Sequence, residues 1–306
     1  MARDEDSSGD ADIWTGSVVV GRTNKRVAAV RRLRGRRERE ETGLFWAEGI
    51  RVVLEAIETG AAVETLVVAP DLLRSRVARE AAAAAAAAGT PCLVVSADVF
   101  RSLSVKEGPQ GLGAVVRQRW SRLDELIPDR RPATAATERP APAALSATEP
   151  LFVALVAVQD PGNLGTIIRT CDAAGGWGVI LVGDGADPYD PTAVRASMGS
   201  VFSQKLVRTG FPELRAWTRR GGLALVGTSG GAAVAYDDPS VAARYRGPVV
   251  LLMGSEREGL TAEQQAGCDI VVKIPMAGRA DSLNLAVAAG IVLYEIRRRR
   301  EPSGRE

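Results

Sequence analysis

The chain has 306 residues, of which 46% are hydrophobic and 25% charged, with a net charge of +2 and no histidine. This length predicts two domains, each with its own core. The lack of histidine excludes Ser-His-Asp and Cys-His catalysis and most zinc sites, so we expect no bound metal. The acidic start is unlike a secretory signal, and no apolar run reaches the roughly 20 residues that span a bilayer. We therefore expect a cytoplasmic protein without a membrane partner.

The N-terminal half alternates helical and strand patterns. Residues 1–20 are polar and acidic and are predicted to be a disordered tail. In residues 21–120 the alternation predicts a small α/β domain that includes a basic helix over 24–41. The other predicted elements are strands at 43–49, 63–69, 91–96 and 111–116 and helices at 50–59, 71–88 and 97–103.

The C-terminal half repeats the alternation with longer apolar strands. Residues 121–149 are rich in proline and alanine and are predicted to be a linker to a domain over 150–301. Its strands are apolar throughout, which is typical of a mainly parallel sheet covered by helices on both faces, an α/β fold. Predicted strands are 151–158, 179–182, 201–207, 223–228, 248–253 and 270–275, and predicted helices are 163–174, 191–199, 212–220, one after 261, and 283–300.

Residues 22–39 contain nine cationic side chains, and Glu38 is the one acidic residue in this stretch. Arginine forks bind phosphate oxygens in pairs, so this basic stretch favours an RNA partner. The alternative is a solvated helix face in an arginine-rich chain. The candidate RNA-binding residues are Lys25, Arg26, Arg31, Arg32, Arg34 and Arg36.

Cys92, Cys171 and Cys268 lack any CxxC spacing and are interpreted as small apolar residues without a redox or metal role.

Three loops of the C-terminal half carry the polar residues of interest. They are QDPGNLGTIIRTCDAAG at 159–175, MGSEREGL at 253–260 and IPMAGRADSLNLAVAAG at 274–290. Ligands of open parallel sheets bind beyond the carboxyl ends of the strands, where these loops are expected. Alternatively, Asn163 and Ser282 are simple helix caps and the glycines only form turns. No Walker A or GxGxxG spacing is present, which disfavours phosphate-cradle and dinucleotide sites.

At these residues the sequence resembles the SpoU, or TrmH-type, branch of the SPOUT RNA methyltransferases, whose three signature motifs match the three loops. The N-terminal half is similar to that family's L30e-like substrate-binding domain, through NKRVAAVRRLRGRREREETGLFWAEGIRVVLEA at 24–56 and GPQGLGAVV at 108–116. The resemblance implies a SPOUT trefoil-knot domain that forms a homodimer through its knotted region. It also implies transfer of a methyl group from S-adenosylmethionine to a ribose 2′-hydroxyl of RNA.

The resemblance further implies which residues form the site. Arg169 is expected near the ribose hydroxyl, reaching across from the partner subunit, and it can act as a base or by electrostatics. A guanidinium has a pKa above about 12, which favours electrostatics. The catalytic candidates are Asn163, Arg169, Glu256, Ser282 and Asn284. The candidates for binding the cofactor are Gly254, Ile274 and Leu283, followed by Gly227, Thr228 and Met276.

The full-length resemblance favours 23S rRNA as substrate, either in housekeeping modification or in resistance to ribosome-targeting antibiotics. The alternatives are a tRNA ribose methyltransferase and a non-catalytic RNA-binding factor for ribosome assembly. A nucleotide-dependent oxidoreductase or kinase is a third class, which the missing phosphate motifs disfavour.

Overall fold

The computed structural model describes residues 20–105, 107–127 and 149–301, which fall into two compact units. Unit 1 holds the described residues up to Gln118 together with Tyr189–Pro191, and unit 2 holds the described remainder from Arg119 onward. Residues 1–19 of the predicted tail and 128–148 of the predicted linker lie outside the described residues. Among the helices of the described ranges, none combines the length and the apolar composition that a membrane-spanning segment requires.

Unit 1 is built on a four-stranded sheet with the order β1-β4-β2-β3. Strand β4 pairs antiparallel with β1 and β2, while β2 and β3 are parallel. One face packs a core around Trp46 and Phe100. Its elements are α1 Lys25–Arg32, α2 Arg36–Thr42, β1 Leu44–Glu48, α3 Ile50–Glu58, β2 Val63–Val68, α4 Arg76–Ala87, β3 Cys92–Val94, α5 Ala97–Leu103 and β4 Leu112–Arg117.

The predicted basic helix over 24–41 is wrong in one respect, because it is two helices. Asn24 caps α1, which ends at Arg32, and Gly35, with an extended backbone, is the N-cap of α2. A glycine in mid-pattern weakens a helix, and here it allows the chain to turn. The helix predicted from residue 71 also begins later, at Arg76, because the Ser75 side chain caps it by accepting from Ala78 N.

Unit 2 contains a seven-stranded sheet with the order β7-β6-β5-β10-β8-β11-β9, in which every pairing is parallel. The α/β class with a mainly parallel sheet is therefore confirmed. Its elements are β5 Leu151–Val156, α6 Pro161–Ala173, β6 Gly178–Val182, α7 Pro191–Ala196, α8 Ser200–Ser203, β7 Lys205–Thr209, α9 Phe211–Gly221, β8 Ala224–Thr228, β9 Val234–Ala235, α10 Ala242–Arg246, β10 Val249–Met253, α11 Ala262–Gly267, β11 Ile270–Lys273 and α12 Leu285–Arg300.

Two features of unit 2 differ from the predicted pattern. The strand predicted over 201–207 was wrong at its start, since residues 200–203 form α8 and β7 begins at Lys205. Residues 121–127, the start of the predicted linker, pack on the β7 edge of the sheet. There Ser121 N donates to Leu206 O, and Leu126 is fully buried in the core. This segment covers backbone groups that an edge strand otherwise leaves open.

Candidate functional site

The three polar loops meet at the carboxyl ends of the central strands, where they surround a cleft of about 930 Å³. The first loop follows β5, the second follows β10 and the third follows β11, and β5, β10, β8 and β11 are consecutive in the sheet. Of the predicted site residues, those that line the cleft are Asn163, Glu256, Ser282, Asn284, Gly254, Ile274, Leu283, Thr228 and Met276. Arg169 and Gly227 are not among the lining residues.

A chain of hydrogen bonds links one side chain from each loop. Asn284 Nδ2 donates to Asn163 Oδ1 over 2.9 Å, and Asn163 Nδ2 donates to Glu256 Oε1 over 3.3 Å. The second carboxylate oxygen of Glu256 accepts from the backbone N of Gln159 at 3.2 Å. Three of the five predicted catalytic residues are thus linked by hydrogen bonds, with Asn163 in the middle.

Backbone groups at both ends determine the direction of this amide chain. Asn284 Oδ1 accepts from the backbone N–H groups of Ala286 and Val287, which can only donate. The Asn284 amide nitrogen must therefore face Asn163, whose own nitrogen is then turned toward Glu256. The carboxylate accepts at the far end, so each of the two amides donates one hydrogen bond along the chain.

The first loop places Asn163 through the start of α6. Asp160 is the N-cap, its Oδ1 accepting from Asn163 N at 2.7 Å, and Pro161 occupies the first turn. Asn163 is therefore not the helix cap, and its amide is free to join the chain. Just before it, Ala157 adopts a φ of 46°, which is uncommon for a residue with a Cβ and marks a constrained turn. Sequence reasoning singled out neither Gln159 nor Asp160, although Asp-Pro before an apolar run is a recognisable helix start.

The second loop folds back on itself to present Glu256. Ser255 and Gly259 exchange backbone hydrogen bonds, and Gly259 has a φ of 67°. A Cβ on Gly254 would lie 2.2 Å from the carbonyl carbon of Gly259, so only glycine permits this close approach. The role predicted for Gly254 at the cofactor therefore coincides with a backbone requirement.

The third loop ends at the N-cap of α12, which is Asn284 rather than Ser282. Within the described part of the chain, the exposed Ser282 side chain has no hydrogen-bond partner. Leu283 and Met276 remain 37% and 38% exposed, although both are large apolar side chains beside the cleft. This loop therefore offers apolar surface and a free hydroxyl to a ligand.

Arg169 lies away from the amide chain. Six residues along an α-helix turn a side chain about 120° from Asn163 and carry it about 9 Å along the axis. Arg169 is exposed on α6, and its guanidinium has no partner among the described residues. Gly227 lies under the cleft, where a Cβ would come within 2.7 Å of Cys268 Sγ. At this position a glycine is needed because a side chain would collide with Cys268.

The basic residues of unit 1 divide into engaged and free groups. Glu40 and Glu41 join Glu38 as ion-pair partners in the fold, a partial neutralisation that the sequence reasoning missed. Arg31 donates to Ser102 Oγ, Arg34 donates to the carbonyls of Ser102 and Ser104, Arg32 pairs with Glu38, and Arg36 pairs with Glu40. Lys25 and Arg26 are exposed, and their charged groups have no partner within the described residues.

The cysteines fit the interpretation of inert apolar residues. Burial raises the pKa of the Cys92 and Cys268 thiols to about 11 and that of Cys171 to about 12. A thiol must lose its proton to act as a nucleophile, so these groups are inactive near neutral pH. Covalent catalysis by cysteine is thereby disfavoured.

The cleft suits a ligand that is part apolar and part charged. Leu260, Val272 and Leu285 supply apolar walls, while backbone groups of the 254–259 turn and the Asn163 amide supply polar contacts. Its volume lies within the range of about 300–1,000 Å³ that is typical of small-molecule sites. S-adenosylmethionine has a flat adenine, a ribose and a charged amino-acid end, and it fits this set of residues.

Comparisons with known proteins give a consistent family. The SpoU rRNA methylase family matches residues 150–294, and an MRM3-like substrate-binding domain matches residues 24–114. A 23S rRNA uridine 2′-O-methyltransferase of Streptomyces viridochromogenes is 36% identical over 88% of this chain and 87% of the relative. A 23S rRNA guanosine 2′-O-methyltransferase of Bacillus subtilis is 30% identical over 90% and 96%.

A solved structure agrees with these relatives. The S-adenosylmethionine-bound rRNA methyltransferase of Sinorhizobium meliloti is 38% identical, with a TM-score of 0.77 over 92% of this chain and 97% of that one. The predicted family is therefore confirmed, whereas the trefoil knot stays a prediction.

The amide chain predicts a separation of stability from activity at Asn284. Asn284→Asp keeps an oxygen to cap α12 but loses the amide donor to Asn163, so thermal unfolding should stay within a few degrees. Methyl transfer to RNA should fall at least tenfold, since the Asn163 amide then loses its orientation. Asn284→Ala is the matched control. It should lose activity and also about 1 kcal/mol of stability, because the cap itself is removed. Normal turnover in Asn284→Asp would contradict a catalytic role for the amide chain of Asn284, Asn163 and Glu256.

Proposed function

Because the chain belongs to the SpoU family of S-adenosylmethionine-dependent RNA methyltransferases, we propose that it methylates a ribose 2′-hydroxyl in 23S rRNA. The observation that supports an active enzyme is the amide chain, in which Asn163, Glu256 and Asn284 hold the three motif loops around one cleft. The presence of these three linked side chains favours an active enzyme over a non-catalytic RNA-binding factor. The curated relatives named above act on rRNA, which favours rRNA over tRNA and a cytoplasmic location.

The proposed mechanism depends on alignment more than on acid-base chemistry. S-adenosylmethionine supplies a methyl group activated by its sulfonium, so no covalent enzyme intermediate is required. Residues of the protein hold the ribose hydroxyl in line with that methyl group. Orientation of this kind removes much of the activation barrier to methyl transfer. Glu256 and Asn163 shape the loops that hold the nucleoside, and Ser282 offers a free hydroxyl at the mouth of the cleft.

Arg169 would reach the site from a second copy of the chain. The exposed face of α12 carries the apolar Val287 and Tyr294, seven residues apart and so on one side of the helix, and the exposed Leu283 lies just before its N-cap. Helix α6 packs along α12, and a Cβ on Gly290 would contact Thr170, the neighbour of Arg169. We propose that this face forms a homodimer. The guanidinium of Arg169 of the partner subunit then stabilises the negative charge that develops on the ribose oxygen.

The substrate is tested by transfer of labelled methyl from S-adenosylmethionine to separate 23S rRNA, 16S rRNA and tRNA pools, followed by mapping of the modified ribose. We expect label in 23S rRNA at a single 2′-hydroxyl. Arg169→Lys should reduce turnover at least tenfold with little change in RNA affinity, because an ammonium lacks the forked geometry. Label in tRNA would replace the proposed substrate, and no label in any pool would refute catalysis.

The dimer is tested by light scattering after size exclusion. Wild type should have twice the 32.2 kDa chain mass. Val287→Arg should be monomeric, because it places a charge in the apolar face. Val77→Arg, at a valine that is 66% exposed on unit 1, is the control and should stay dimeric.

A shared site adds a complementation test. Arg169→Ala and Asn163→Ala copies, each inactive alone, should regain about a quarter of wild-type activity when mixed, since half the random dimers hold one intact site. Absence of rescue in mixed dimers would contradict the shared site.

Lys25 and Arg26 are predicted to contribute most directly to RNA binding, since no fold partner must be displaced. Replacing both with glutamine should weaken rRNA binding and reduce the slope of log affinity against log salt by about 2. Binding of S-adenosylmethionine and thermal unfolding should be unchanged. Arg34→Gln is the contrasting variant, because it removes hydrogen bonds to Ser102 and Ser104 and should lower stability. Equal loss of RNA and donor binding in the double variant would contradict this role.

A further inference from the structure

Lys273 is a cation built into the wall of the cleft. It ends β11, where its carbonyl accepts from Tyr236 N at 2.8 Å, and the preceding carbonyl of Val272 accepts from Ser229 N at 3.0 Å. Strands β8 and β9 therefore hold its backbone from both sides. Lys273 lines the cleft and is half-buried. Its position is thus fixed by the sheet and not by a loop.

The other charged residues of the cleft differ from Lys273 in exposure or in pairing. Glu256 already accepts on both oxygens from Asn163 and Gln159. Arg257, Glu258 and Asp281 lie exposed in the loops at the mouth. Within the described part of the chain, the Lys273 ammonium has no hydrogen bond or ion pair. Partial burial of a charge without a partner is unfavourable, so this ammonium is suited to an anionic ligand group.

We propose that Lys273 binds the carboxylate at the amino-acid end of S-adenosylmethionine and of the product S-adenosylhomocysteine. This inference rests on the proposed function. The carboxylate is the one anionic group of the donor, and an ammonium–carboxylate hydrogen bond is about twice as strong as a neutral one. An RNA phosphate is a less suitable partner, because the exposed Arg257 at the mouth is more accessible to a polyanion than a half-buried strand residue.

The test compares two nucleosides that differ in this carboxylate. Isothermal titration measures binding of S-adenosylhomocysteine and of 5′-methylthioadenosine, which lacks the amino-acid end, to the full-length protein. Lys273→Gln should weaken S-adenosylhomocysteine at least tenfold and change 5′-methylthioadenosine less than twofold. Lys273→Arg should recover most of the lost affinity, since it restores the charge.

Lys205→Gln is the matched control, because Lys205 is also a half-buried strand lysine but lies on β7 at the other end of the same sheet. It should bind both nucleosides as wild type does. Equal weakening of both nucleosides by Lys273→Gln, or no weakening, would overturn the assignment, as would a selective loss of rRNA affinity. If wild type transfers methyl groups normally in that case, only the assignment fails. If wild type binds neither nucleoside, the proposed function fails with it.

Discussion

The site depends on the chain of hydrogen bonds from Asn284 through Asn163 to Glu256, whose partners are 121 and 93 residues apart in sequence. Each bond has a defined direction, because backbone N–H groups of α12 and of Gln159 determine which atoms can accept. Bonds arranged in this way strengthen one another, so the three loops should hold their positions together. The positions of the walls of the cleft follow from that coupling.

The sequence predicted the sheet well where strands were apolar throughout. Strands β5 and β10 lie within their predicted ranges and β6 begins one residue before its own, since continuous apolar runs in an alternating chain leave little choice of fold. It failed at α8, where residues 201–203 are apolar enough for a strand but follow the left-handed Gly199 into a helical turn. Local pattern cannot separate short apolar helices from strands, because each is settled by what packs against it.

The sequence indicated residues that line the candidate cleft, apart from Arg169 and Gly227, but not the hydrogen bonds between them. Motif resemblance indicated Asn163, Glu256 and Asn284, yet single-residue reasoning offered Asn163 and Ser282 as caps. The caps are Asp160 and Asn284. A side chain that caps one helix and also donates to another loop requires a long-range contact, which no local spacing reveals. The same limit applied to the arginines, since residue counts do not show which guanidinium groups bind carbonyls of their own fold.

The absence of histidine and the raised thiol pKa values remove imidazole and thiolate as bases near neutral pH. A reaction whose electrophile is already activated proceeds without such a base, provided that the reacting atoms are held in line. The described residues around the cleft suit the positioning of a ligand, because they include hydrogen-bonded amides, a glycine turn and a strand lysine. Arg169 stands outside this arrangement, on the exposed side of α6. Helix α12 lines the cleft with Leu285, Ala288 and Val292 and exposes Val287 and Tyr294 on its outer face. In the proposed homodimer, this helix would connect the chemistry of the cleft to association between two copies.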